Sequence, residues 1–376
     1  MKIGSLQFKP FAAKKPLMIT PDSKFLTVQQ VAAAPSLGRG SLSTLDEKLR
    51  IKLAVKRYSL EPDFKLGIIG MGILSRNEII SEIKKATEFG KLATEVEMGY
   101  CDELAGSLGA RKIPSWPKVP MKRIPKWPWW KPIKKCIRLR LINRALFCEN
   151  TTDNVTTPIA KWRIKNVHPR FAARGFTVVA LTGINDTRTY FIPEAKNGLT
   201  TYISGVGHGN YNLYTGHWHN RILEACKYDS AEVRDKVIHF LSCRTAKELG
   251  PDTVAKGARA YAGYDENFHF VWDDPSTTFI NEFLLFVRAD ATFDLQMAAG
   301  ATAGQAFIAT RQAFDAAIAQ VPGTAAASWL TYDRDHLRLH GSKMATIKPY
   351  RWIKICFPIR RLEMETALLG AGELEE

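Results

Sequence analysis

Four short apolar runs do most to limit what this chain can fold into: "FTVVALTG" (176–183), "TTYISGVG" (200–207), "KVIHFLSC" (236–243) and "RAYAGYDENFHF" (259–270). A brief, nearly continuous apolar run bounded by turn residues is the pattern of a strand buried on both faces. The stretches between and after them predict helices: "AKELGPDTVAKGA", then 277–289, then 303–320, where Phe307, Ala313, Phe314 and Ile318 share one face. "HWHNRILEAC" (217–226) reads as a further helix. Strand and helix in alternation imply an α/β domain with a mostly parallel sheet covered by helices. Ligands of such sheets bind at the C-terminal ends of the strands.

The reactive residues fall at those ends. His208 follows the second run and Cys243 closes the third, 35 residues later. On neighbouring parallel strands the two would meet at one sheet edge, where a thiol can pass its proton to an imidazole and receive it back. Gly207 and Gly209 flank the histidine without Cβ atoms, leaving room for a substrate backbone and for an amide aimed at an oxyanion. Asp186, after the first run, is a candidate to orient His208. Tyr211, Asp265, Glu266 and Asp273 are candidate substrate contacts, with Asp274 beside them; acids at that edge suit a basic side chain. His217 and His219, with His208 and Cys243, imitate a metal set, but no acidic or cysteine pair accompanies them and no metal is expected. His239 sits inside an apolar run and reads as a hydrogen-bonded core histidine.

An apolar strand ending in "VGHGN", a second ending in "FLSCRTA", and then "LGPDTVAKGARAYAGYDENF" together resemble the caspase-fold (clan CD) cysteine peptidases, with the gingipain-like and CHAT-type branches fitting better than caspases proper. The resemblance spans roughly residues 170–320. It implies a three-layer caspase-like sandwich, Cys243 as nucleophile and His208 as general acid/base. It further implies an oxyanion hole from the backbone N–H groups of Gly209 and Cys243, and no cofactor. Specificity for aspartate is not implied, because nothing here matches a caspase around its cysteine.

The flanks are of different texture. Residues 1–110 hold a helical subdomain in which Ser75 and Glu78 form a capping box ahead of the stripe Ile79, Ile80, Ile83, Ala86 and Leu92. Residues 111–145 are a basic linker rich in Pro and Trp; positions 111–140 alone carry eleven Lys or Arg, six Pro, four Trp and no acid. Prolines at that density exclude a helix and favour an extended path. The stretch supplies most of the net charge of +16, and suits an anionic surface, an interdomain strap, or a site of self-processing. The peptidase-like domain is expected over 146–342, and 343–376 form a basic strand-like segment with an acidic tail. "KKCIRLRL" (134–141), "KWRIKNV" (161–167) and 343–361 read as basic strand-like pieces.

Six cysteines without a CxxC pair fit reduced thiols in a cytoplasm. No stretch is apolar for long enough to span a bilayer, and the N-terminus lacks the apolar centre of a secretory signal. The expectation is a cytoplasmic cysteine endopeptidase acting on a protein or peptide substrate, self-processed in the linker and regulated through its N-terminal region, where a protein partner would act. The competing expectations are an inactive caspase-fold binding module and a basic protein that binds nucleic acid or an acidic partner.

Overall fold

The computed structural model describes residues 2–109 except 4, 5, 21, 35–41, 43 and 44, then 135–272 and 282–357. Residues 2–109 with 143–349 belong to one compact unit; the described parts of the other are Lys135–Ile142 and Tyr350–Phe357, an antiparallel two-stranded ribbon. Two of the three basic pieces thus pair with each other as strands. The third, 161–167, lies instead at the end of the helix Thr156–Asn166, where Arg163 joins a buried ion-pair cluster. Most of the linker, residues 110–134, and the tail from 358 lie outside the described residues.

In the first unit the elements used below are α1 (Glu47–Ser59), the hairpin β1 (Lys65–Ile68) and β2 (Gly72–Ser75), α2 (Arg76–Lys85) and α3 (Glu88–Gly109). Next come β3 (Arg144–Glu149), α4 (Thr156–Asn166), α5 (His168–Ala173), β4 (Thr177–Thr182) and α6 (Arg188–Lys196). After them follow β5 (Thr200–Val206), β6 (His208–Asn210), β7 (Leu213–Thr215), β8 (Arg221–Glu224), β9 (Val237–Leu241) and α7 (Leu249–Ala255). The chain continues through β10 (Ala260–Tyr264), β11 (His269–Trp272), α8 (Glu282–Ala298), α9 (Ala303–Gln320), α10 (Ala325–His336) and β12 (Leu337–Gly341). Ser75 caps α2 in a capping box with Glu78, which satisfies the amides a helix start leaves free.

A six-stranded sheet in the order β12–β10–β9–β5–β3–β4 forms the centre. All its pairings are parallel except β10 with β12. Alternate residues of each strand face opposite layers. Phe147, Tyr202 and Val237 pack with Phe171 of α5, Phe293 of α8 and Ala306 of α9. Leu146, Ile203 and Phe240 pack with Phe191 of α6, Leu249 of α7 and the β7–β8 residues Tyr214 and Leu223. The domain is therefore a mixed α/β structure layered on both faces of a mostly parallel sheet.

Four points differ from the pattern of the sequence. The run 176–183 is not buried on both faces: β4 is the sheet edge and is largely half-exposed. None of the four apolar runs includes β3, yet β3 lies between β5 and β4. The stretch 217–226 is not a helix. Trp218 and His219 adopt left-handed φ values of 49° and 56°, and 221–224 pairs with β7. A single short helix is marginal alone, whereas the ladder buries Ile222 and Leu223. The run 259–270 also divides, into β10 of the main sheet and β11 of a separate sheet with β1 and β2.

No helix among the described residues is long and apolar enough to cross a membrane.

Candidate functional site

The parallel register brings three loops to one edge. Val206 of β5 stands opposite Leu241 of β9 on one side and Glu149 of β3 on the other. His208, two residues past the register point on β5, therefore lies between Cys243, two residues past it on β9, and the loop that follows β3. The contact is close at Gly209, where an added Cβ would lie 2.2 Å from Ser242 Oγ and 2.6 Å from the Cys243 carbonyl oxygen.

The residue that holds His208 is Asp153. His208 Nε2 lies 2.8 Å from Asp153 Oδ2. Asp153 is itself fixed by local bonds: Oδ1 accepts the N–H groups of Val155 and Thr156, and Oδ2 accepts the Thr156 hydroxyl, each at 2.8 Å. The loop begins on Asn150, whose Oδ1 accepts from the backbone and hydroxyl of Thr152 and whose own N–H donates to the Val206 carbonyl. Asx turns of this kind set a short polar loop without tertiary help. Burial works to raise the Asp153 carboxyl, but the bonds from His208 and Thr156 hold it well below the usual carboxylate range. With Asp153 ionised, the proton of the pair sits on Nε2. In the neutral ring the other nitrogen, Nδ1, is then the acceptor. Nδ1 is buried and has no hydrogen-bond partner among the described residues, and neither has the nearby Ser242 hydroxyl.

Asp186 does not hold His208. Its carboxyl is fully buried with no hydrogen-bond partner among the described residues, and burial followed by the charge of Glu149 raises its pKa well above normal. It packs instead beneath Gly216, where an added Cβ would lie 2.6 Å from the carboxyl carbon. The signal for Asp153 was present in "ENTTDN", but sequence alone does not reveal that β3 neighbours β5.

Cys243 is 1 % exposed. Its thiol donates to the Ile69 carbonyl at 2.6 Å and accepts from the Phe268 N–H at 3.4 Å. It is hydrogen-bonded to these backbone groups rather than to His208. Burial pushes its pKa up to about 12. Ile69 belongs to the β1–β2 turn, so a segment of the first 110 residues covers the thiol. An open cleft of about 820 Å³ lies beside this turn, bordered by Met71, Phe89, Gly209, Arg244 and His336.

The candidate substrate contacts already have partners. Glu266 takes Lys247 Nζ at 2.5 Å and Arg244 Nε at 3.4 Å. Asp265 binds His336 Nδ1 and Arg338 Nε, both at 2.7 Å. Tyr211 lies under the Arg244 guanidinium and the Lys247 ammonium, at 5.3 and 4.9 Å from its ring centre. Asp273 and Asp274 lie outside the described residues.

Among the described residues, His239, Asp290 and Asp294 form the one donor group compact enough for a metal. Arg163 packs against the same carboxylates, with Nη1 2.8 Å from Asp294 Oδ2 and 3.8 Å from Asp290 Oδ2, and Nε 3.0 Å from Glu149 Oε1. The single guanidinium charge, fixed by two of its nitrogens, partly compensates this buried carboxylate cluster.

No protein-family model matches the chain, and no curated protein is significantly similar to it. Solved structures with some likeness include the Arg-specific cysteine proteinase gingipain R, at TM-score 0.36 and 12% identity over 55% of this chain. Another is the complex of the pro- and mature domains of the Porphyromonas gingivalis proteinase, at TM-score 0.36 and 11% identity over 55% of this chain. The chain spans about half of the length of these structures, 48% in each case. A likeness of that size does not establish a shared fold.

Proposed function

We propose that this protein is a cysteine endopeptidase of caspase-like fold, on the gingipain-like or CHAT-type pattern, with Cys243 as nucleophile and His208 as general acid/base. The observation that carries the reading is the state of His208. Its Nε2 is held by an ionised Asp153, and its Nδ1 is an acceptor without a partner among the described residues, at the sheet edge next to the strand that delivers Cys243. A base oriented by a third group is what nucleophilic catalysis requires.

In the proposed reaction the Cys243 proton passes to His208 Nδ1 and sulfur bonds to the scissile carbonyl carbon. The N–H groups of Gly209 and Cys243 stabilise the resulting oxyanion. His208 then gives the proton to the leaving amine as the C–N bond breaks, leaving a thioester. His208 next takes a proton from water, whose oxygen attacks the thioester. The C–S bond breaks, and sulfur recovers the proton as the acid product leaves. Asp153 keeps Nε2 protonated throughout and stabilises the imidazolium. No cofactor takes part, and the thiol is kept reduced in a compartment such as the cytoplasm.

The test is cleavage of a peptide library by the parent, Cys243→Ala and His208→Ala. Loss of cleavage in both variants supports the assignment; parental cleavage by either overturns it. Processing within 111–145 belongs to the same proposal, since that stretch offers many Lys and Arg bonds. One observation favours a second reading, an inactive fold that binds without cutting: Cys243 is a buried thiol bonded to Ile69. An electrophilic peptide that labels Cys243 in the parent, but not in His208→Ala, excludes that reading.

A further inference from the structure

We propose that the β1–β2 hairpin is a built-in latch on Cys243, whose turn at residues 69–72 must lift before the thiol can meet a substrate. The proposal rests on Cys243 being the reactive thiol and names the element of the N-terminal region that regulates it.

The geometry is that of a substrate position already filled by the chain's own backbone. The Ile69 carbonyl accepts the thiol proton at 2.6 Å, where an attacking sulfur would need a substrate carbonyl carbon and an imidazole. The Phe268 N–H occupies the sulfur from a second direction at 3.4 Å. One backbone bond ties the start of the turn to its neighbour and a second closes the turn on itself. Ile69 N–H donates to the Phe268 carbonyl at 3.2 Å, and Met71 N–H closes the turn on the Ile68 carbonyl at 3.1 Å.

The base of the hairpin is built to stay while the turn moves. β1 pairs with β11 through four residues, from His269 opposite Ile68 to Trp272 opposite Lys65. Gly67 lies flat on Phe270, whose ring atom Cζ would stand 2.3 Å from an added Cβ. Ile69 keeps its own side chain fully buried, whereas the tip beyond it has no such anchorage. Gly70 and Gly72 take φ values of +91° and +108°, with no described atom within 4 Å of an added Cβ at either position. Met71 between them is 62% exposed. The cleft of about 820 Å³ opens directly beside Ile69, Gly70 and Met71, so a lifted turn has space to enter and a peptide has space to follow it. Segments held by few bonds and little packing are those that open locally, without global unfolding.

The free space around Gly70 and Gly72 gives a clean perturbation. A Cβ added at either position meets no described atom, but a valine there opposes the left-handed backbone. Closure is then weakened by roughly tenfold per site. The experiment is timed alkylation of the whole chain with N-ethylmaleimide, read by peptide mass spectrometry. Cys226, which is exposed, reports reagent access; Cys101 and Cys148, both buried, report global unfolding. In the parent, Cys243 should label far more slowly than Cys226. In Gly70→Val/Gly72→Val it should label at least tenfold faster than in the parent while Cys101 and Cys148 stay protected. Labelling of parental Cys243 as fast as Cys226, or no acceleration in the variant, overturns the latch.

If the double variant unfolds and all cysteines label together, the parent is titrated with urea below its unfolding midpoint. Cys243 exposure at lower urea than Cys101 and Cys148 supports the latch, and coincident exposure overturns it. Maleimide labelling does not require peptide cleavage, so an unlatched variant that labels but cleaves nothing would sink the peptidase reading while leaving the latch intact.

Discussion

Asp153 matters because a histidine can act as base only from one tautomer. Replacing it with asparagine keeps the size but lets Nε2 face a neutral amide, which no longer fixes the ring's protonation. The expected outcome is a fall in kcat of about 10²-fold or more with KM little changed, checked by steady-state kinetics on a cleaved peptide; an unchanged kcat would remove Asp153 from the site. Gly209 is constrained by space. The Cβ of Gly209→Ala must displace Ser242 Oγ and the Cys243 carbonyl, and overpacking of this kind costs about 1–3 kcal/mol. Denaturant unfolding should show the loss. Arg163 is the residue on which the buried charges depend. It is fully buried and joins Glu149, Asp294 and the Ser204 hydroxyl. Arg163→Ala leaves those carboxylates uncompensated, and urea unfolding should show a destabilisation of about 3–5 kcal/mol.

Between elements, that same cluster joins the central strands to α4, α5 and α8. His239 of β9 bonds Asp294 at 3.1 Å and lies 3.3 Å from Asp290. Arg163 and Glu149 complete its surroundings, with His168 on Glu149 at 2.9 Å. Burial opposes a charged His239, yet Asp294 and then Asp290 raise its pKa from 6.5 to about 9. A base whose folded pKa lies above its unfolded value contributes stability fully below pH 6.5, and the contribution fades as pH rises through about 9. The parent should therefore lose stability across that window relative to His239→Gln. Parallel unfolding curves at pH 6 and pH 9.5 for the two proteins would disprove this. The sequence anticipated a hydrogen-bonded core histidine at 239 but not its partners, because Asp290 and Asp294 reside on a helix that local pattern places against no particular strand.

At the scale of the whole molecule, residues 2–109 and 143–349 belong to one compact unit although the linker separates them in sequence. Lys15 and Glu61, buried and 2.5 Å apart, show how closely the first segment is knit, and Glu61 also accepts the Ala325 N–H. Arg57 likewise reaches Glu97 and the Gly323 carbonyl. A cut within 111–134 should therefore leave two fragments that co-elute in gel filtration under native conditions and separate only in denaturant. Separation without denaturant would show that the two segments do not hold each other.

Local pattern alone determined that the chain is α/β, that its parallel strands end at one edge, and that His208 and Cys243 are carried there. Those facts follow from apolar runs and turn residues, which act over a few positions. Tertiary structure alone decided that Asp153 rather than Asp186 holds His208, that Asp265 and Glu266 are already paired, and that Ile69 covers the thiol. Each depends on which distant segments become neighbours: β3 beside β5, α10 beside the β10–β11 turn, the hairpin beside β11. Strand order is set by packing of the whole sheet, and no periodicity within one segment encodes it.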